Sequence, residues 1–163
     1  MPRSPRALAD GCVYHVMNRG NGKQQVFHKD QDYRSFIKLM SKVQTRNRLD
    51  IFAYCVMPNH FHLLLLPKKG QDMSRWMHWL MTTHVRCYHE HHESSGHIWQ
   101  GRYKCSLVQN DHHLLTVTRY IERNPVRAGL AETWQEYPYC GSMIGPYDIR
   151  HPYWWDWFYG LRS

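Results

Sequence analysis

Residues 49–67 read LDIFAYCVMPNHFHLLLLP. Two apolar runs flank Pro58-Asn59, so a strand over 49–57, a tight turn and a second strand from His60 to Leu66 are predicted, paired as an antiparallel hairpin. The second strand opens with His60-Phe61-His62. On a strand, positions i and i+2 face the same way, so both imidazoles can meet one metal ion while Phe61 turns into the core. Imidazole pairs are common ligands for divalent transition metals. The bland alternative is two histidines on a half-exposed strand. Against it, the run Leu63 to Leu66 marks a buried, central strand, where two unpaired polar rings would be costly.

Working outward, Gly11 to Asn18 (GCVYHVMN) is β-rich, and Arg19-Gly20-Asn21-Gly22 makes a glycine-rich turn. Asp30 is a candidate N-cap, and Tyr33, Phe36, Ile37 and Met40 repeat at helical spacing, predicting a helix to about Arg46. A second helix spans Met73 to about His91 and is broken by Glu93-Ser94-Ser95-Gly96; Tyr103 to Val108 reads as a strand. A third helix begins near Asp111, again a candidate N-cap, and should end at Asn124-Pro125, because the residue before proline disfavours the α region. The order β-α-β-β-α-β-α predicts an α+β fold: a ferredoxin-like antiparallel sheet with helices packed on one side. Residues 1–136 read as the domain proper and 137–163 as an aromatic C-terminal tail of the same domain, ending in HPYWWDWFYG before the last residues.

A chain of 163 residues, 42% hydrophobic, can bury one core. No segment approaches the ~20 apolar residues of a membrane span, and the N-terminal MPRSPRALADG has no apolar stretch of signal-peptide type, so a cytoplasmic location is expected. Cys12, Cys55, Cys87, Cys105 and Cys140 are odd in number and widely spaced, against a disulfide framework or zinc knuckle. Lys and Arg number 21 against 13 Asp and Glu, a net +8 that favours a polyanionic partner through counterion release. The aromatic content of 14% suits stacking on unpaired bases, or an ordinary core.

Tyr120 and Asn124 (YIERN) lie four residues apart and share one helix face. An amide oxygen there could complete a metal shell beside the phenol, although Tyr and Asn near a helix end also serve packing and capping. Arg119, Arg123 and Arg127 flank the tyrosine, Arg102 and Lys104 precede a strand, and Arg19 sits in the glycine-rich turn, where backbone amides can approach phosphates. His84, His89, His91 and His92 crowd the end of the second helix; they could chelate a metal, but cations there also complement the helix dipole, the preferred reading.

Four stretches, YHVMNRGNGKQQVF (14–27), YCVMPNHFHLLLLP (54–67), GHIWQGRYKCSLVQND (96–111) and RYIERNPVRAGL (119–130), together resemble the REP-associated tyrosine transposases, a branch of the single-tyrosine HUH transposases. The resemblance implies an HUH endonuclease fold with Tyr120 as nucleophile and His60, His62 and Asn124 as ligands of magnesium or manganese. It implies action on single-stranded DNA carrying repetitive extragenic palindromes (REP) as imperfect hairpins, and a monomer rather than a dimer. Arg19, Arg102, Lys104, Arg119 and Arg127 are the candidate DNA-binding residues. The chain departs from the family where YPWSS is usual and YPYCGS stands at 137–142. The implied reaction is attack of a phenolate on a phosphodiester, giving a covalent 5′-phosphotyrosine that a free 3′-hydroxyl can reverse. Two other readings share the charge and aromatics: a hairpin-binding protein with little or no cleavage, and a metal-dependent phosphodiester hydrolase using water.

Overall fold

In the computed structural model, residues 6–47 and 49–142 are described. Among them, five strands form one antiparallel sheet: β1 (Tyr14–Arg19), β2 (Asp50–Met57), β3 (His60–Leu66), β4 (Lys104–Leu107) and β5 (Cys140–Ser142), in the order β4-β1-β3-β2-β5. Three helices accompany them: α1 (Asp30–Val43), α2 (Gly70–His92) and α3 (Asp111–Arg127). This is the expected α+β architecture. The hairpin turns at Pro58-Asn59, with Met57 opposite His60 and Cys55 opposite His62, and β3 is the central strand.

The helices do not share one side of the sheet. Phe36 and Met40 of α1 and Trp76, Met77 and Leu80 of α2 pack with Val16, Tyr54, Val56, Phe61, Leu63 and Leu65 on one face. Val117 and Ile121 of α3 pack with Ala53, Cys55, Met57 and Leu64 on the other. The reason is visible in β2 and β3: Ala53 to Met57 and Phe61 to Leu65 are buried without alternation, as in a sheet covered on both faces. Element order alone did not carry that information.

Helix ends also differ from the expectation. Lys29, not Asp30, is the N-cap of α1, and the Asp32 carboxylate accepts from the backbone N–H of His28 (2.8 Å) and Lys29 (3.1 Å). Asp30 instead accepts from Arg34 and from the Tyr139 hydroxyl, each at 2.6 Å. In α3 the cap is Asn110, whose side chain accepts from His113 N–H at 2.9 Å. The same helix runs through Asn124-Pro125 to Arg127. It is closed by Leu130 N–H on the Pro125 carbonyl (2.9 Å) and Gly129 N–H on the Val126 carbonyl (3.0 Å), with Gly129 left-handed at φ 72°. That Schellman closure satisfies the last carbonyls, and burial of Ile121 and Pro125 offsets the amide that proline lacks.

The first residues of the tail belong to the second core. Tyr137 and Cys140 are buried there, and the Tyr137 hydroxyl donates to the Val56 carbonyl at 2.6 Å. Trp154, Trp155 and Trp157 lie outside the described residues.

Candidate active site

Antiparallel partners point to the same face of a sheet. The register sets Arg19 against His60, Met17 against His62 and His15 against Leu64, so His60, His62, His15 and Arg19 share the face that α3 covers. His62 lies deepest, 2% exposed. Its Nδ1 is 2.9 Å from His15 Nε2. His60 Nδ1 is 2.7 Å from Asn59 Oδ1, and the Asn59 amide nitrogen donates to the Lys23 carbonyl, which orients that oxygen as the acceptor.

These hydrogen bonds set the tautomers. His60 donates from Nδ1, which leaves the lone pair on Nε2. When His62 donates from Nδ1 to His15, its Nε2 is likewise a lone pair. Ligating histidines are oriented in this way by a partner on the second nitrogen. Electrostatics keeps the rings neutral. Burial holds His62 down at about 3, helped by the neighbouring His15, His60 and Arg19. Burial, then Arg19, lowers His60, and burial, then His113, lowers His15. Neutral imidazoles with an unused nitrogen are what a divalent cation requires.

Tyr120 reaches this face from α3. Its ring centroid is 5.6 Å from that of His62 and 6.2 Å from that of His15, each edge-on. Tyr120 is 42% exposed, so the residue is open to a strand of DNA. One turn further, the Asn124 amide nitrogen donates to the Tyr120 carbonyl at 3.3 Å, leaving Oδ1 as the atom available to a cation. The Arg127 guanidinium stands 5.5 Å from the Tyr120 ring centroid, a placement that exists because α3 continues past Pro125. Two neutral imidazoles and an amide oxygen, with phosphate and water completing the shell, are donor types that suit manganese. They suit magnesium once oxygen ligands from DNA are added.

The candidate phosphate contacts divide into two groups. Arg19, Arg102 and Lys104 line one cavity of about 330 Å³ with Met17, Asn18, Gln100 and Gly101. Lys104 pairs with Met17, and so faces the same way as His62. The Arg19 Nε is buried without a partner. Arg119 is exposed on α3. His15 and Asn59 were not anticipated as site residues. His15 does alternate with the buried Tyr14 and Val16, which put it on the opposite face, but only the register of β1 on β3 brings it to His62.

Residues 9–124 match the family described as "Transposase IS200 like", a stretch that holds His15, His60, His62, Tyr120 and Asn124. A Haemophilus influenzae Rd protein assigned as a REP-associated tyrosine transposase is 32% identical over 98 residues, covering 53% of this chain and 55% of its own length. The chain thus spans about half the length of that relative, 55%. The REP-associated tyrosine transposase of Escherichia coli K12 is 23% identical over 134 residues, 81% of this chain and 76% of that one. Among solved structures, a REP-associated tyrosine transposase bound to a REP hairpin superposes with a TM-score of 0.71 at 20% identity, covering 86% of this chain and 82% of its own. A Deinococcus radiodurans R1 protein assigned as a transposase gives 0.52 at 21% identity, with 75% and 97% covered. At these identities the structures establish a shared fold, and the family match establishes descent: the chain belongs to the IS200-like transposases.

Proposed function

We propose that this transposase is a metal-dependent single-strand DNA endonuclease and strand transferase that acts on REP-type hairpins through Tyr120. The observation that carries the reading is the exposed Tyr120 ring set edge-on to His62, whose Nδ1 is taken by His15. The Tyr120 oxygen attacks the scissile phosphorus in line, the P–O3′ bond breaks, and the 3′-hydroxyl leaves with a proton. The bond energy is kept in a 5′-phosphotyrosine, and a 3′-hydroxyl of another strand reverses the step. His60, His62 and Asn124 would hold magnesium or manganese, which when bound polarises a phosphate oxygen and offsets developing charge. Arg127 beside the Tyr120 ring is placed to meet the phosphate. Arg19, Arg102 and Lys104 supply a basic wall for the DNA backbone, and Arg119 a further cation on α3.

The proposal includes a catalytic domain over 1–136, with 137–163 as a tail of that domain, and a monomer acting in the cytoplasm. No helix among the described residues is long and apolar enough to cross a membrane. The test is incubation with single-stranded hairpins from the flanks of the chain's own gene, with manganese. A covalent protein–DNA adduct that Tyr120→Phe abolishes is expected. Tight hairpin binding with no adduct in the unaltered chain would replace the enzyme with a hairpin-binding protein, and cleavage without an adduct would mean a water nucleophile.

A further inference from the structure

On the other side of the sheet, where α1 and α2 pack, is a cluster that the Tyr120 chemistry does not use. Asp32 of α1 and His91 and His92 of α2 each offer one ligand atom, and these atoms lie within 4.8 Å of one another. Among the described residues this is the one group of three His, Cys, Asp or Glu side chains so arranged. The three border a cavity of about 290 Å³ between the helices, which His84 and Cys87 also line. On α2, positions 84, 87, 88, 91 and 92 form one face, because residues three, four, seven and eight apart stack on a helix. Near the cluster, the His28 ring lies 5.5 Å from that of His92. Within the cavity wall, the buried Nδ1 of His84 has no hydrogen-bond partner.

We propose that Asp32, His91 and His92 form a second metal site, for Zn2+ or a similar divalent transition metal, that clasps the start of α1 to the end of α2. The chemistry suits it. Two imidazoles and one carboxylate are a common zinc donor set, with the fourth position open to water. The Asp32 carboxylate is already oriented, because Oδ2 takes the two backbone amides of His28 and Lys29 and Oδ1 remains for a cation. His91 and His92 sit in the last turn of α2, which ends at Glu93 in a left-handed conformation. The site is remote from Tyr120, with the sheet between them, so it neither contacts the scissile phosphate nor depends on the proposed reaction. Its role is to lock the packing of α1 on α2, since a ligand that binds only the folded chain raises its stability.

The test uses the full chain carrying His60→Ala and His62→Ala, which removes both imidazole ligands of the other candidate site and leaves it only the Asn124 amide. Titration with Zn2+ alone by calorimetry should find one equivalent bound. At Zn2+ one hundred times Kd, Tm should rise on the order of 5–10 °C. Adding His91→Ala with His92→Ala, or Asp32→Asn, which keeps an oxygen for the two amides, should weaken binding at least about tenfold and erase the shift. Substituted Co2+ should show no thiolate charge-transfer band. As a second route, the otherwise unaltered chain should lose one zinc equivalent on His91→Ala with His92→Ala and keep its DNA cleavage. Unchanged zinc stoichiometry and affinity in the His91→Ala, His92→Ala chain would overturn the site. So would a Co2+–thiolate band, or no zinc binding below about 100 µM in the starting variant.

Discussion

His84 makes the stability of this fold depend on pH in a calculable way. The ring is 7% exposed, packed among Phe27, Phe36 and Trp99 with centroids 5.1–5.5 Å away, and its Nδ1 finds no partner. Burial, opposed by the Asp32 charge, lowers it from the ordinary 6.5 to about 4. The folded chain therefore keeps His84 neutral where the unfolded chain takes up a proton. Its effect on stability is nil above pH 6.5, grows as pH falls from 6.5 towards 4, and levels off below that. At 1.36 kcal/mol per unit the full effect is about 3 kcal/mol, and near pH 5 it is about 2 kcal/mol. The perturbation is His84→Leu, of similar volume and with nothing to protonate. At pH 7.5 the variant should be at least as stable as the unaltered chain, since it also removes an unpaired buried nitrogen. Urea unfolding in EDTA at both pH values measures the difference. The gap in favour of His84→Leu should widen by about 2 kcal/mol from pH 7.5 to pH 5. Parallel pH profiles would mean that His84 is hydrated or protonated inside the fold, and the burial argument fails.

Other substitutions probe the site and its frame. Tyr120→Phe should form no covalent adduct yet bind hairpin within about twofold of the unaltered chain in a gel-shift titration, because the ring that packs on His62 and His15 stays. His15→Ala frees His62 Nδ1 and should weaken manganese binding by about 10–100-fold, read from free manganese by EPR; unchanged affinity would remove His15 from the site. Lys104→Ala and Arg19→Ala should each flatten the slope of log affinity against log salt by about one unit and weaken all hairpins alike. Tyr137→Phe leaves the buried Val56 carbonyl without its 2.6 Å hydroxyl partner and should cost about 1–2 kcal/mol in urea unfolding, with cleavage retained.

Much of this molecule is legible in a linear reading because its signals are short-range. The common face of His60 and His62 follows from the two-residue period of any strand, and the helical spacing of Tyr33, Phe36, Ile37 and Met40 marks the buried side of α1. Tyr120 and Asn124 share a face for the same local reason, and the net charge of +8 needs no structure at all.

Tertiary structure decided what depends on register and packing across distant segments. His15 meets His62 only because β1 pairs antiparallel with β3 in one register, and a slip of one residue would turn it to the other face. The face taken by α3 follows from both sides of β2 and β3 needing cover. The run of α3 past Pro125, which sets Arg127 by Tyr120, was settled by burial and by the closure at Gly129 against a local preference that pointed the other way. Asp32 and His91 are far apart in the chain, so nothing within one helical turn of either predicts their meeting; the packing of α1 against α2 does. Local periodicity is set by bond geometry and can be read from one segment, whereas a site assembled from several segments exists only after the apolar faces between them have been buried.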